Sequence, residues 1–257
     1  FVLKLRSDGT IQWDQSIGGC GDDWGRSIIE TSSGEYVIAG TTYSYGAGDA
    51  DMYVIKIDTN GIQWTKTIGG PFADSGNTII KTSDNGFAII GSTNSFGAGS
   101  SDMFFVKLNS AGDTLFTKVI GNISADWGES ILQNEIDGFT IVGTSVVNTN
   151  FNMRIVKLSN DGELVWERNV GGDNTDIGKA LFQKSDDSYV AMGSTNSFGI
   201  GDYDAYLVEF DSQGITCNAD SNSVEIRSAN YAMIGEGGEV NGVKICLIQP
   251  PEMVDSI

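Results

Sequence analysis

The sequence predicts an all-β chain built from repeated four-stranded antiparallel units, and three observations predict it. First, short apolar frames carrying one charged residue recur. They surround Lys4, Lys56, Lys107, Lys157 and Glu209, at spacings of 52, 51, 50 and 52. Second, two further markers keep the same period. Trp13, Trp64, Phe116 and Trp166 recur at 51, 52 and 50, as do Asp23, Asp74, Asp126 and Asp176, each followed two residues on by Gly. Third, the segments between turn residues are short and rich in β-branched and aromatic side chains, with no sustained helical period. A period of this length must be read before anything else, because it decides the architecture.

One unit shows why each element forms. Strand a (78–81) is Thr-Ile-Ile-Lys, and a tight Ser-Asp-Asn-Gly turn leads to strand b (87–92). A longer Gly-rich loop (94–101) precedes strand c (103–108), and Asn-Ser-Ala-Gly turns the chain into strand d (114–120). Strands b and c are almost continuously apolar, as strands covered on both faces should be. The aromatic residue of strand d is expected to anchor one unit on the next.

The chain opens with strands c and d alone, at 2–5 and 11–17. Four a-b-c sets follow, the first three with clear d strands, the last with a degenerate one at 215–218. Residues 224–227 and 231–235 make a weaker a-b pair that would complete the opening unit from the far end of the chain. Residues 243–248 are then a surplus c-like strand. Such units stack face to face around an axis, so the expected fold is a β-propeller of four-stranded antiparallel blades. Five blades are expected over 1–248, with clear repeats over 1–214, a closing segment at 215–248 and a tail at 249–257. The alternative is a fragment of a six- or seven-bladed ring. The start, Phe1-Val2-Leu3, is neither an initiator Met nor a signal peptide and reads as a mature, trimmed or partial chain.

Composition narrows the chemistry. The 257 residues carry 34 Asp+Glu against 15 Lys+Arg, a net charge of −19, and no His. Such acidity repels nucleic-acid phosphates. Without His there is no Ser-His-Asp or Cys-His nucleophile system, and the commonest zinc ligand is missing. No apolar run is long enough to span a membrane. Of the three cysteines, Cys20, Cys217 and Cys246, the pair Cys217–Cys246 is the disulfide candidate; three unpaired small core residues are the alternative.

The unit resembles the blades of kelch and PQQ-type propellers: a strand ending in Gly, then D-x-(F/Y)-V-x-K-(L/I), then G-x-x-x-W. It is more similar to secreted or surface-exposed propeller repeats marked by S-F-G-A-G-x-x-D and a later I-G-G. Residues 95–99 with Asp102, 197–201 with Asp204, and 44–48 with Asp51 carry that marker. The third repeat departs from it: 147–150 replace the glycine loop and Gly121-Asn122 the doublet. The resemblance covers about four fifths of the chain. It implies an extracellular or cell-surface location and carries over no cofactor.

In an a-b-c-d meander the longer b-c and d-a connections share one end of the units, and binding usually resides on such loops. Asp23, Asp74, Asp126 and Asp176 would ring that end. They read either as an acidic collar for calcium or, preferably, as caps that accept backbone N–H groups. Asp49 with Asp51 and Asp202 with Asp204 form D-x-D pairs, weak calcium candidates lacking the rest of a calcium loop. Trp24 and Trp127 break the repeat, since Ser75 and Ile177 stand at the equivalent positions. They read as platforms for a sugar or a protein partner, or as plugs over neighbouring loops. Asn122 opens a glycosylation sequon.

These features point to a non-enzymatic binding, adhesion or structural interaction module, with a protein or a glycan as partner. A lectin-like role and a subunit role in a larger extracellular assembly are the alternatives. The one enzymatic route left is a carboxylate-pair glycosidase, and like acids at equivalent positions do not favour it. No cofactor is expected unless calcium is bound.

Overall fold

The computed structural model describes residues 1–32, 34–134, 138–147, 149–199 and 202–215. The d segment at 215–218 beyond its first residue, the 224–235 strand pair, the 243–248 strand, the tail and the Cys217–Cys246 pair lie outside the described residues. What is described is all β, and every strand pairing within its sheets is antiparallel.

Strands β1 (Val2–Leu5) and β2 (Ile11–Gln15) form a two-stranded sheet. The next three sheets each run in sequence order. They are β3 (Asp23–Ser32), β4 (Glu35–Thr42), β5 (Asp51–Asp58) and β6 (Gly61–Ile68); then β7 (Asp74–Lys81), β8 (Phe87–Thr93), β9 (Asp102–Leu108) and β10 (Thr114–Ile120); then β11 (Asp126–Asn134), β12 (Gly138–Val147), β13 (Asn150–Leu158) and β14 (Leu164–Val170). The last described sheet holds β15 (Asp176–Gln183), β16 (Tyr189–Thr195) and β17 (Asp204–Phe210). Each a strand starts four residues earlier than the β-branched run alone predicts, at the repeated Asp. The extra turn's worth of pairing, Asp74 with Thr93 and Gly76 with Gly91, uses small and polar residues that propensity does not flag.

Successive sheets pack face to face. The first strand of each of β7, β11 and β15 lies against the first three strands of the sheet before it. Three apolar layers result. Val37, Ala39, Met52 and Val54 pack on Ile79, Ile89 and Val106; Ala88, Ile90 and Phe105 pack on Ile131 and Phe139; Val142, Met153 and Ile155 pack on Tyr206 and Phe210. A fourth joins Val2, Trp13 and Ile17 to Ile38, Tyr53 and Ile55. At each such layer, burial of large side chains is worth roughly 1.5–3 kcal/mol apiece. Trp64, Phe116 and Trp166 lie against the c-d turn of the following sheet, beside Gly112, Gly162 and Gly214, and Trp166 Nε1 donates to the Ser212 carbonyl at 3.0 Å.

In two sheets the charged residue of the c-strand frame reaches an acid of the a-b hairpin. Lys107 Nζ donates to Asp84 Oδ2 at 2.8 Å in the turn, and Lys56 Nζ lies 3.1 Å from Glu35 at the start of β4, whereas Lys157 Nζ donates to Thr140 Oγ1 at 3.2 Å. Among the described residues no helix is long and apolar enough to cross a membrane.

Candidate functional site

The repeated Asp residues begin β3, β7, β11 and β15, and three of them, Asp23, Asp74 and Asp176, knit the two long connections of their sheets together. Asp23 Oδ2 accepts from Gly19 N at 2.8 Å and from Ser44 Oγ at 2.7 Å, while Oδ1 accepts from the Thr42 hydroxyl. Thr42 Oγ1 in turn accepts from the amides of Ser44 and Tyr45 at 3.0 and 3.2 Å. Asp176 repeats the arrangement with Gly172, Ser197 and Thr195. Asp74 keeps the Gly70 amide and the Ser95 hydroxyl, each at 2.7 Å. Each clamp ties a d-a connection to a b-c connection, so both sets of loops lie at one end of the sheets. Short main-chain bonds, such as Asn94 N to Ala73 O at 2.9 Å, fasten them again.

A second row of acids stands beside the first. A Cβ on Gly69 would fall 2.1 Å from Asp51 Oδ1 and 2.6 Å from Asp74 Oδ2; one on Gly121 would meet Asp102 and Asp126 in the same way. Only glycine lets the backbone pass between each pair. Burial pushes the Asp51 carboxyl up; the Ala47 amide opposes this and the neighbouring Asp74 adds to it. Asp102 is raised for the same reasons, burial first, with Arg154 working against Asp126. For Asp23, burial pushes upward, but the Thr42 and Ser44 hydroxyls and the Gly19 amide more than reverse it.

The third repeat is rebuilt around Arg154. Its guanidinium occupies the place of Tyr53, Phe104 and Tyr206 in the other sheets and donates from Nη1 to Asp126 Oδ1 and from Nη2 to Glu167 Oε2, both at 2.5 Å. Asn152 stands where Asp51 and Asp102 stand elsewhere, which removes one buried acid from the same corner. Sequence reasoning passed over Arg154, although an Arg at an aromatic position of the repeat was legible.

The two Trp candidates have different surroundings. Trp127 is half-buried and stacks on Phe151 with centroids 5.8 Å apart. Trp24 is 47% exposed, meets Tyr43 edge-on at 5.5 Å, and has the Arg26 guanidinium 5.9 Å from its ring. Tyr43, itself 48% exposed, was also missed; it replaces Asn94 and Asn196, so it departs from the repeat together with Trp24. Tyr45 stands exposed beside them, its hydroxyl donating to Gly18 O at 2.9 Å.

The remaining candidates do not converge. Asp51 is buried and bonded to Ala47 N at 2.8 Å, whereas Asp49, two residues earlier, is exposed; Asp202 is exposed and Asp204 half-buried. No cluster of three or more metal-ligating acids exists among the described residues. Asp23 and Asp176 spend both carboxyl oxygens on N–H and O–H donors, whereas Asp74 Oδ1 is buried with no hydrogen-bond partner among the described residues. Cys20 is exposed with a free thiol. Asn122 is exposed, and its side-chain oxygen accepts from Ser124 N at 2.8 Å. The chain matches no protein-family model and no curated protein.

Proposed function

We propose that this chain is a non-enzymatic binding module of the propeller class, with its sheets as blades of a five-bladed ring, working outside the cell or on its surface. The stacking of each a strand on the three strands before it supports the ring, because a constant offset between twisted sheets generates rotation about an axis. The end of the sheets that carries the long loops is the binding face. The observation that carries this reading is the contrast within that face: a hydrogen-bonded Asp clamp in three of the described sheets, replaced by the Arg154 pair in a fourth, and the exposed Trp24–Tyr43 corner in one sheet only. Repeated acids serve the scaffold, and the unrepeated aromatic pair serves a ligand.

An exposed indole with a tyrosine at its edge offers the flat apolar face and flanking polar groups that a sugar ring requires. A glycan is therefore the favoured ligand class. The buried, hydrogen-bonded carboxylates offer no free acid pair to a glycosidic bond, which argues for binding without hydrolysis. A glycan array probed with the full chain is expected to give a restricted set of positives that persist with chelator present. Trp24→Ala should weaken them by at least about 10-fold, in the range of a stacking contact. Binding indifferent to Trp24→Ala would remove the platform, and an array without positives would remove the glycan reading. A protein contact in a larger assembly is the second reading, favoured by exposed Phe72, Phe96 and Ile123 at the same end.

A further inference from the structure

Charge is divided unevenly between the two ends of the sheets. The long connections, 18–23, 43–51, 69–74, 94–102, 121–126, 145–150, 171–176 and 196–204, contain Asp in all but one case and neither Lys nor Arg in any. At the opposite end acids are matched by cations: Glu35 by Lys56, Asp84 by Lys107, Asp186 and Glu209 by Lys184, Asp113 by Lys66 and Glu163 by Lys118. On the long loops Asp22, Asp49, Asp173 and Asp202 stand exposed with no cation in their own segments. The loop end therefore presents a field of one sign.

The same loops expose large apolar side chains: Tyr43, Tyr45, Phe72, Phe96, Ile123 and Tyr203. Part of this is scaffold. Tyr45 and Phe96 close over the d-a loops, where a Cβ on Gly19 or Gly70 would fall 3.1 and 3.0 Å from them. Phe72 and Tyr203, 56% and 57% exposed, make no such contact among the described residues. Both have a carboxylate at hand. Phe72 stands beside the Asp49 loop, since a Cβ on Gly48 would come 2.2 Å from Pro71 O, and Tyr203 follows Asp202 directly. The loops also form one surface from sheet to sheet. The Asp74 amide donates to Ala50 O and the Asp126 amide to Ser101 O, both at 2.7 Å, and Asn150 Nδ2 donates to Asp173 O.

We infer that this end docks a basic, Arg-rich segment of a partner protein. A guanidinium can lie on an aromatic ring and pair with a carboxylate at the same time, and Phe72 with Asp49 and Tyr203 with Asp202 offer that combination in two different sheets. Charge selects the occupant. Nucleic acid, anionic lipid and acidic glycans meet a face without a single Lys or Arg in its loops. A neutral apolar partner would strip water from the exposed carboxylates and pair none of them. A second copy docked face to face would set the same acids against each other. The inference rests on the protein-contact reading of this end and leaves the glycan reading at Trp24 to its own test.

The test is fluorescence anisotropy of a labelled peptide of about six Arg-Gly repeats titrated with the full chain at ~20 mM and ~500 mM NaCl. Binding at low salt that is lost at high salt is expected, and no binding at low salt overturns the inference. Two variants of equal charge separate a docking face from diffuse attraction. Asp49→Asn with Asp173→Asn and Asp202→Asn should weaken binding at least about 10-fold, whereas Asp161→Asn with Asp187→Asn and Asp211→Asn, at the opposite tight turns, should weaken it less than about 3-fold. Equal losses overturn the inference. Phe72→Ala with Tyr203→Ala keeps the charge and should weaken binding about 10-fold. Binding indifferent to that pair leaves charge alone and overturns the inference equally. Should the loop Asp variant fail to fold, the aromatic pair decides. Peptide binding by a chain without glycan positives keeps this inference and discards the glycan reading; glycan positives without peptide binding do the reverse.

Discussion

Lys184 Nζ lies 2.7 Å from Glu209 Oε1, and this pair is the charge-reversed image of Lys107 and Asp84, which lie 2.8 Å apart. In both sheets a c-strand side chain reaches back to the a-b connection, and only the sign differs. The repeated Lys is thus a strut between two ends of a hairpin pair. The same geometry with exchanged charges shows that the strut depends on complementarity rather than on lysine itself.

The Lys107 strut is the one to break. Its ammonium is almost wholly buried and, besides Asp84, reaches only the Leu108 carbonyl among the described residues. Asp84→Asn leaves that cation undercompensated and is expected to cost about 2 kcal/mol. Burial pushes the Asp84 carboxyl up, but the Lys107 ammonium and the Thr82 hydroxyl hold it at about 2. A folded value below the unfolded one stabilises above pH ~4 and is lost as pH falls toward ~2. Urea midpoints between pH 2 and 7 should therefore flatten at the acid end in Asp84→Asn.

Arg154 and Asp126 form the costlier pair, since both are buried. Arg154→Ala leaves Asp126 with the Asn122 amide alone among the described residues and should lose about 3–5 kcal/mol. Ser145→Thr with Arg154→Phe rewrites the corner as it stands around Asp74, whose neighbours are Thr93 and Phe104. That double variant should recover most of the loss in urea unfolding. A double variant no better than Arg154→Ala would mean that the corner is not interchangeable between sheets.

The strand framework was legible because period and alternation are local: the c and d strands at 103–108 and 114–120 fall within a residue of β9 and β10. The early start of each a strand was not, because Asp74-Ser75-Gly76 has no β propensity and is held by pairing with β8 and by the clamp. At the site, the Asp row could be found by its spacing. Its partners Thr42, Ser44 and Thr195 could not, since hydroxyls recur everywhere and only folding brings residues 19 to 25 positions apart together. Tyr43 escaped because its departure from Asn94 is meaningful only beside Trp24.

The two acid rows should respond oppositely to neutralisation. Asp51 has its carboxyl raised, by burial first and then by Asp74, so its charged form works against the fold. A folded value above the unfolded one means stability falls as pH rises through the folded value and stays lower above it. Asp51→Asn keeps an oxygen for the Ala47 amide and copies Asn152, so it should be neutral or stabilising at pH 7. Asp23 is shifted downward, and Asp23→Asn keeps one acceptor oxygen but turns the other into an NH2 that faces either the Thr42 hydroxyl or the Gly19 amide and Ser44 hydroxyl, a loss of about 1–3 kcal/mol. Thermal unfolding of both variants at pH 7 separates them by the sign of the change.

The glycine that opens each sheet junction offers the last comparison. Gly128→Ala drives a methyl into Ile90 and the Gly91 carbonyl, and backbone cannot yield as a side-chain tip does. The expected loss is about 1–3 kcal/mol, as for overpacking elsewhere in a close-packed interior. Gly25 has open space on that side among the described residues, so by itself Gly25→Ala should change stability by less than about 0.5 kcal/mol. Urea unfolding of the two variants in the full chain checks this. A clear loss in Gly128→Ala beside a near-neutral Gly25→Ala is the result expected, and equal losses would contradict it.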